Sequence, residues 1–179
     1  KKEKTPMRHV YIDWPEYNDL CERLVARVVQ SGWKFDSLLC LARGGMRPGD
    51  IFSRVYNSMP LAVLTTSSYR AAAGTIQGDL DIATYITGMS DLKGKLLLVD
   101  DLCDSGQTVL KVIEHLKDRY PRITEVRTAA IWVKACSLIV PDYYVVKYED
   151  SPWIHQPFEF YDDFGPEKLL ARVREKFGE

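Results

Sequence analysis

Two short apolar runs constrain what this chain can fold into more than any other feature. Ser37-Leu38-Leu39-Cys40-Leu41-Ala42 and Lys95-Leu96-Leu97-Leu98-Val99 carry apolar residues without alternation, and each breaks off at glycine-rich or acidic sequence. A half-buried strand would alternate apolar and polar residues, because successive side chains point to opposite faces. A run too short for a helix and apolar throughout fits a strand covered on both faces, the habit of parallel sheets.

The segments around these runs read as helices and further strands. Asp13-Trp14-Pro15-Glu16 is a helix start, with Pro15 near the first helical position. Tyr17, Leu20, Cys21, Leu24, Val25, Val28 and Val29 recur at steps of three and four, and Gly32 is placed to stop the helix. A helix from about Gly49 to Asn57 and a strand over Leu61–Tyr69 follow the first buried strand. A helix from about Gln107 to Asp118, with Val109, Val112, Ile113 and Leu116 on one face, follows the second. Glu125–Val133 and Tyr143–Tyr148 are the remaining strands. Gly165-Pro166-Glu167 opens a last helix, expected to turn Leu169, Leu170, Val173 and Phe177 inward. Strands alternating with helices predict an α/β fold, a mainly parallel twisted sheet flanked by helices. The 179 residues are expected to form one domain, with Lys1–Pro6 a tail, Arg70–Gly88 a mobile excursion with room for short strands, and a small appendage from the C-terminal third.

Composition narrows the function classes. Lys and Arg number 24 against 25 Asp and Glu, a formal net charge of -1, which argues against the basic surface a nucleic-acid partner needs. No apolar run approaches the roughly 20 residues that span a bilayer, and the charged start Lys1–Met7 has no apolar segment behind it, so a cytoplasmic location is expected. The cysteines at 21, 40, 103 and 136 include no CxxC and no neighbouring histidine pair, which disfavours a zinc site or a disulfide framework. Cys21 and Cys40 fall in apolar segments and read as buried thiols. His115 lies on a predicted helix and reads as a surface or packing residue.

Ligands of parallel sheets bind beyond the carboxyl ends of the strands. The most informative loop there is Val99-Asp100-Asp101-Leu102-Cys103-Asp104-Ser105-Gly106-Gln107-Thr108. A buried strand ends in two carboxylates, a third follows, and Ser105, Gly106 and Thr108 then open a helix. Backbone N–H groups at a helix start, two hydroxyls and a glycine make a monophosphate cradle. Carboxylates beside a phosphate suit a phosphorylated sugar with a divalent cation. Taken by itself, the same stretch is also a capped helix after a strand. Neither GxxxxGK[ST] nor a GxGxxG after a strand is present.

This loop resembles the diphosphoribosyl-binding signature of type I phosphoribosyltransferases. Ala42-Arg43-Gly44-Gly45 with Pro48-Gly49 is similar to that family's pyrophosphate loop, and Ser67-Ser68-Tyr69 to its closing loop. Lys134, Pro141–Val146 and Trp153-Ile154-His155-Gln156-Pro157-Phe158 resemble its bacterial xanthine-guanine and hypoxanthine branch. The resemblance implies transfer of a 5-phosphoribosyl group from 5-phosphoribosyl 1-diphosphate to a 6-oxopurine, with magnesium, in a homodimer or homotetramer. It implies that Arg43, Gly44, Gly45 and Ser67, with Asp100, Asp101, Asp104, Ser105, Gly106, Gln107 and Thr108, bind the phosphoribosyl diphosphate. Asp101 is the implied metal contact and Asp104 the implied general base. Lys134, Trp153 and Ile154 are the implied purine contacts, in a hood over about 134–160, and 70–88 would close as a lid. Other readings stay open: Arg43 as a surface arginine on a turn, Lys134 as a solvated strand-end lysine, Trp153 as core filling. A phosphoribosyl-diphosphate-binding regulator on the same fold, or a transferase for another base, is the alternative. His155 stands where an acidic residue is expected in this branch, and Cys103 fills a variable position.

Overall fold

The structure, a computed structural model, describes residues 6–70 and 77–179. Its elements are β1 (His9–Tyr11), α1 (Trp14–Ser31), β2 (Ser37–Ala42), α2 (Met46–Val55), β3 (Leu61–Arg70), β4 (Gln77–Ile82), β5 (Gly94–Val99), β6 (Leu102–Cys103), α3 (Gln107–Arg119), β7 (Ile123–Val133), β8 (Tyr143–Lys147), β9 (Trp153–His155) and α4 (Pro166–Phe177). Two compact units divide them. One spans Asp19–Ser151, and the other joins Lys1–Asn18 to Pro152–Glu179.

The larger unit is built on a seven-stranded sheet. Its strands run in the order β4-β3-β2-β5-β7; the β3–β4 pair is antiparallel and the others along this path are parallel. β6 and β8 both pair parallel with β7. Leu38, Leu39, Cys40 and Leu41 of β2 are buried, as are Leu96–Val99 of β5. A strand with both alternating sets of side chains buried is covered on both faces, as the missing alternation predicted. On one face Leu39, Leu41, Leu96 and Leu98 pack with Val109, Val112 and Leu116 of α3. Toward the other, the Cys40 thiol lies against Gly49 of α2 so closely that no Cβ would fit there.

Local chemistry sets the helix ends. Asp13 Oδ1 accepts the Glu16 N–H at 2.9 Å, which caps α1. Gly32, at φ +70°, takes the left-handed conformation that ends it. α2 begins at Met46 rather than Gly49. The glycines of Arg43-Gly44-Gly45 turn the chain straight into the helix, and Pro48 sits in its first turn, where no N–H is needed.

The smaller unit pairs β1 with β9 in parallel, His9 against Trp153 and Tyr11 against His155. The appendage is thus made from both ends of the sequence, and residues 134–151 belong to the larger unit. One expectation for the last helix fails. α4 fully buries no residue: Leu169, Leu170 and Phe177 are exposed and Val173 is half-buried. A 3.6-residue period reports that a helix has an apolar stripe, not that the same chain covers it. Of the 70–88 excursion, residues 71–76 lie outside the described residues, as do residues 1–5 of the tail. The described remainder contains one such short strand, β4, which returns antiparallel along β3 with Ser67 opposite Asp81.

Candidate active site

Parallel strands put their carboxyl ends on one edge of a sheet, so Arg43 after β2, Ser67 on β3, Asp100 after β5 and Lys134 after β7 all lie on the same edge. Beyond that shared edge, two of the expected groupings come into close contact.

The first joins the loop after β2 to the loop after β5. A Cβ on Gly44 would collide with the Asp101 carboxylate, and one on Gly45 with the Val99 carbonyl oxygen. The Gly44 backbone therefore lies directly on the Asp101 carboxylate, an approach that only glycine permits. The Ala42–Arg43 peptide is cis. Met46 N–H bonds back to the Arg43 carbonyl at 3.1 Å, and Gly45 N–H to that of Leu41 at 2.8 Å.

Asp100 and Asp101 interrupt one line of pairing along β7. β5 pairs with β7 as far as Val99, and β6 resumes the pairing at Leu102. Between them the Asp101 carbonyl accepts N–H groups of Ile131 and Trp132 at 2.8 and 3.2 Å. The two-residue β6 escaped sequence reading because two residues carry no period. Asp100 Oδ1 accepts the Asp101 N–H and Asp101 Oδ1 the Leu102 N–H, each at 2.8 Å. Desolvation pushes the Asp100 carboxyl well above the usual carboxylate range, and the charge of Asp101 pushes it further. A buried carboxylate beside a second one suits a hard divalent cation with oxygen ligands. Among the described residues no group of three or more His, Cys, Asp or Glu side chains gathers to hold a metal. One or two carboxylates, with waters and substrate oxygens, is the way magnesium is usually held.

The second contact joins the loop before α3 to the end of β7. Lys134 Nζ stands 3.3 Å from Asp104 Oδ1, with the lysine side chain 8% exposed and the aspartate 60%. Lys134 is therefore not a solvated strand-end lysine. Its N–H bonds the Cys103 carbonyl at 3.1 Å, and the Leu138 N–H bonds that of Ser105 at 2.8 Å, so the chain after β7 is stitched to the acidic loop. Gly106, at φ +79°, stands before α3 in a conformation strained for any side chain, and offers the helix no capping group of its own. Ser105 Oγ accepts the Gln107 N–H at 3.3 Å. Ser105, Gly106, Gln107 and Thr108 thus surround a helix start whose N–H groups and dipole suit an anion. Cys136 had no signal in the sequence, yet its Sγ lies 3.6 Å from Asp104 Oδ1.

Trp153 and Ile154 lie in the smaller unit. Ile154 is buried, whereas Trp153 is 39% exposed and so does not serve as core filling.

Residues 11–164 match the model of the phosphoribosyl transferase domain. The chain is 31% identical to a purine phosphoribosyltransferase from Pyrococcus horikoshii of known structure, covering 85% of this chain and 95% of that one with a TM-score of 0.69. It is 25% identical to the xanthine-guanine phosphoribosyltransferase of Idiomarina loihiensis, over 86% of this chain and 89% of the relative. The fold is also that of the xanthine-guanine-hypoxanthine phosphoribosyltransferase of Helicobacter pylori, at 22% identity, with 93% and 99% of the two chains covered and a TM-score of 0.66.

Proposed function

Because the chain belongs to the phosphoribosyl transferase domain family, we propose that it transfers the 5-phosphoribosyl group of 5-phosphoribosyl 1-diphosphate to a 6-oxopurine, releasing pyrophosphate. Hypoxanthine, guanine and xanthine are the bases of that class. The product is a purine nucleoside monophosphate and the role is purine salvage.

The observation that carries this reading is the Lys134–Asp104 pair. A buried ammonium and an exposed carboxylate stand 3.3 Å apart, which sets one donor beside one acceptor. The 6-oxopurines present the matching edge, a carbonyl oxygen at position 6 next to the imidazole nitrogen whose proton must leave. Lys134 donates to the oxygen, and Asp104 is the general base for the proton. Adenine carries an amino group at position 6 and would face the ammonium donor to donor. Trp153 stacks on the base and Ile154 borders it.

The phosphoribosyl diphosphate takes the other groups. Gln107 and Thr108 with Ser105 and Gly106 hold the 5-phosphate at the start of α3, and Arg43, Gly44 and Gly45 grip the diphosphate, for which a guanidinium fork is well shaped. Asp100 and Asp101 meet the ribose hydroxyls and stabilise the cationic sugar of the transition state. Magnesium, contacted through Asp101, would screen the diphosphate charge. Ser67 stands on the closing side, which keeps water from the reactive sugar. The active form is a homodimer or homotetramer in the cytoplasm.

The deciding experiment supplies a panel of bases with 5-phosphoribosyl 1-diphosphate and magnesium and measures nucleotide formed. Nucleotide from hypoxanthine, guanine or xanthine, little from adenine, and reversible loss in chelator are the expected results. Binding of phosphoribosyl diphosphate with no transfer to any base would instead identify a regulator.

A further inference from the structure

His9, which belongs to no motif, meets His155 of the Trp153–Phe158 block in the smaller unit. His9 Nδ1 lies 2.8 Å from His155 Nε2, so one ring donates a hydrogen bond and the other accepts it. Tyr11 stacks flat on the His155 ring, with centroids 4.4 Å apart and an interplanar angle of 5°. The period of two explains how they come together. In β9 and its flanks, Pro152, Ile154 and Gln156 are buried, which turns Trp153 and His155 to the outer face. His9 and Tyr11 stand on the same outer side of β1, opposite Trp153 and His155 in the register.

Three residues on each strand give few backbone bonds, and a two-stranded ribbon of that size is marginal by itself. Cross-strand side-chain pairs then decide where the strand stands. β9 carries Trp153 and Ile154, the residues assigned above to the purine. We propose that His9 is a positioning residue for the purine: through its bond to His155 it fixes the strand that presents Trp153 and Ile154. This inference rests on the 6-oxopurine reading of the site.

Such a residue contributes to binding the base in the ground and transition states alike. Its loss therefore raises the KM for the purine and leaves kcat nearly unchanged. His9→Ala is expected to raise that KM about 3- to 10-fold, the effect of one hydrogen bond of ordinary net strength. The KM for phosphoribosyl diphosphate should stay at its wild-type value. Isosteres give the sharper readout. An asparagine amide reaches the place of a histidine Nδ1, and a glutamine amide that of Nε2. His9→Asn and His155→Gln should therefore keep the wild-type KM, while His9→Gln and His155→Asn should behave like His9→Ala.

The test is steady-state kinetics on both substrates for the wild type and these five variants, with a melting curve for each. Purine KM following the isostere pattern, at constant kcat and constant phosphoribosyl diphosphate KM, supports the proposal. An unchanged purine KM in His9→Ala overturns it. So does a parallel rise in both KM values, or loss in His9→Asn equal to that in His9→Ala, since either marks a merely structural residue. Failure of the wild type to use any purine would show at once, before any variant is compared, and would remove the 6-oxopurine reading and this inference with it.

Discussion

The Lys134 ammonium and the Asp104 carboxylate stand 3.3 Å apart across the boundary between buried and exposed, the lysine 8% and the aspartate 60% accessible. A buried ammonium needs an acceptor facing it, and the exposed partner stays accessible to a ligand's proton. Each side of the pair can be removed without changing shape much, and the two losses differ in kind.

Asp104→Asn keeps the outline and removes the proton acceptor. Turnover should fall by roughly 10²–10⁴, the usual worth of a general base, while equilibrium binding of phosphoribosyl diphosphate stays close to wild type. Lys134→Met keeps the stem and removes the donors. The KM for hypoxanthine should rise, and the preference over adenine, which such a site can hold at about 10⁴ or more, should narrow. Wild-type turnover in the first variant, or an intact preference in the second, would take that residue out of the mechanism.

Gly44 tests the other contact. In Gly44→Ala the new methyl would collide with the Asp101 carboxylate, and Asp101 is short, with its Oδ1 already accepting the Leu102 N–H at 2.8 Å. Loop and carboxylate must part. The variant should fold, and it should need about tenfold or more phosphoribosyl diphosphate, with a matching rise in the magnesium needed for half activity, roughly 1.4 kcal/mol of lost binding. Titration of both against activity measures this, and wild-type values would show that the contact is dispensable.

How much of this was legible in the sequence depends on range. The buried strands, the longer helices and the acidic loop were legible because period and local motif are local properties. Ser37–Ala42 is a strand over the expected residues, and α3 begins at Gln107 as expected. Long-range pairings left no such trace. β1 is three residues that pair with three others 144 positions on, and nothing near His9 announces them. The outward apolar stripe of α4 shows the same limit from the other side, since periodicity told of a stripe and not of its surroundings. Cys136 reaches Asp104 only because the chain after β7 folds back on the acidic loop.

The four cysteines should separate cleanly by reactivity. Cys21, Cys40 and Cys103 are buried and Cys136 is exposed. Burial, aided by the charge of Asp100, pushes the Cys40 thiol up to about 12, and burial also raises Cys103. Since the thiolate is the reactive form, a maleimide at neutral pH should label the native protein once, at Cys136, and all four sites only after denaturation. That single label should also inhibit, because Cys136 Sγ is 3.6 Å from Asp104 Oδ1, and phosphoribosyl diphosphate with magnesium should slow the labelling. Peptide mass mapping reads the sites. Fast native labelling at Cys40 would contradict the packing of β2 against α2.

Asp100 links the site to stability. Its carboxyl is raised in the folded protein, first by desolvation and then by Asp101, whereas in the unfolded chain it titrates near the ordinary value of about 3.9. Between those two values the folded state holds the proton more tightly than the unfolded state does. Stability contributed by this group is thus greatest at low pH and is lost as pH rises through that window. Asp100→Asn keeps the oxygen that accepts the Asp101 N–H at 2.8 Å and removes the charge. At pH 7 without divalent cations the variant should melt above wild type, by about 2–4 °C for each kcal/mol relieved in a chain of this size. The difference should shrink as pH falls toward 4, where the wild-type carboxyl takes up its proton in both states. Activity at pH 7 should drop even as Tm rises, because the charge that strains the fold is the charge that meets the cationic sugar. Melting curves from pH 4 to 8 on both proteins decide it: equal melting at pH 7, or a gap that widens toward acid, would mean that Asp100 carries no such penalty.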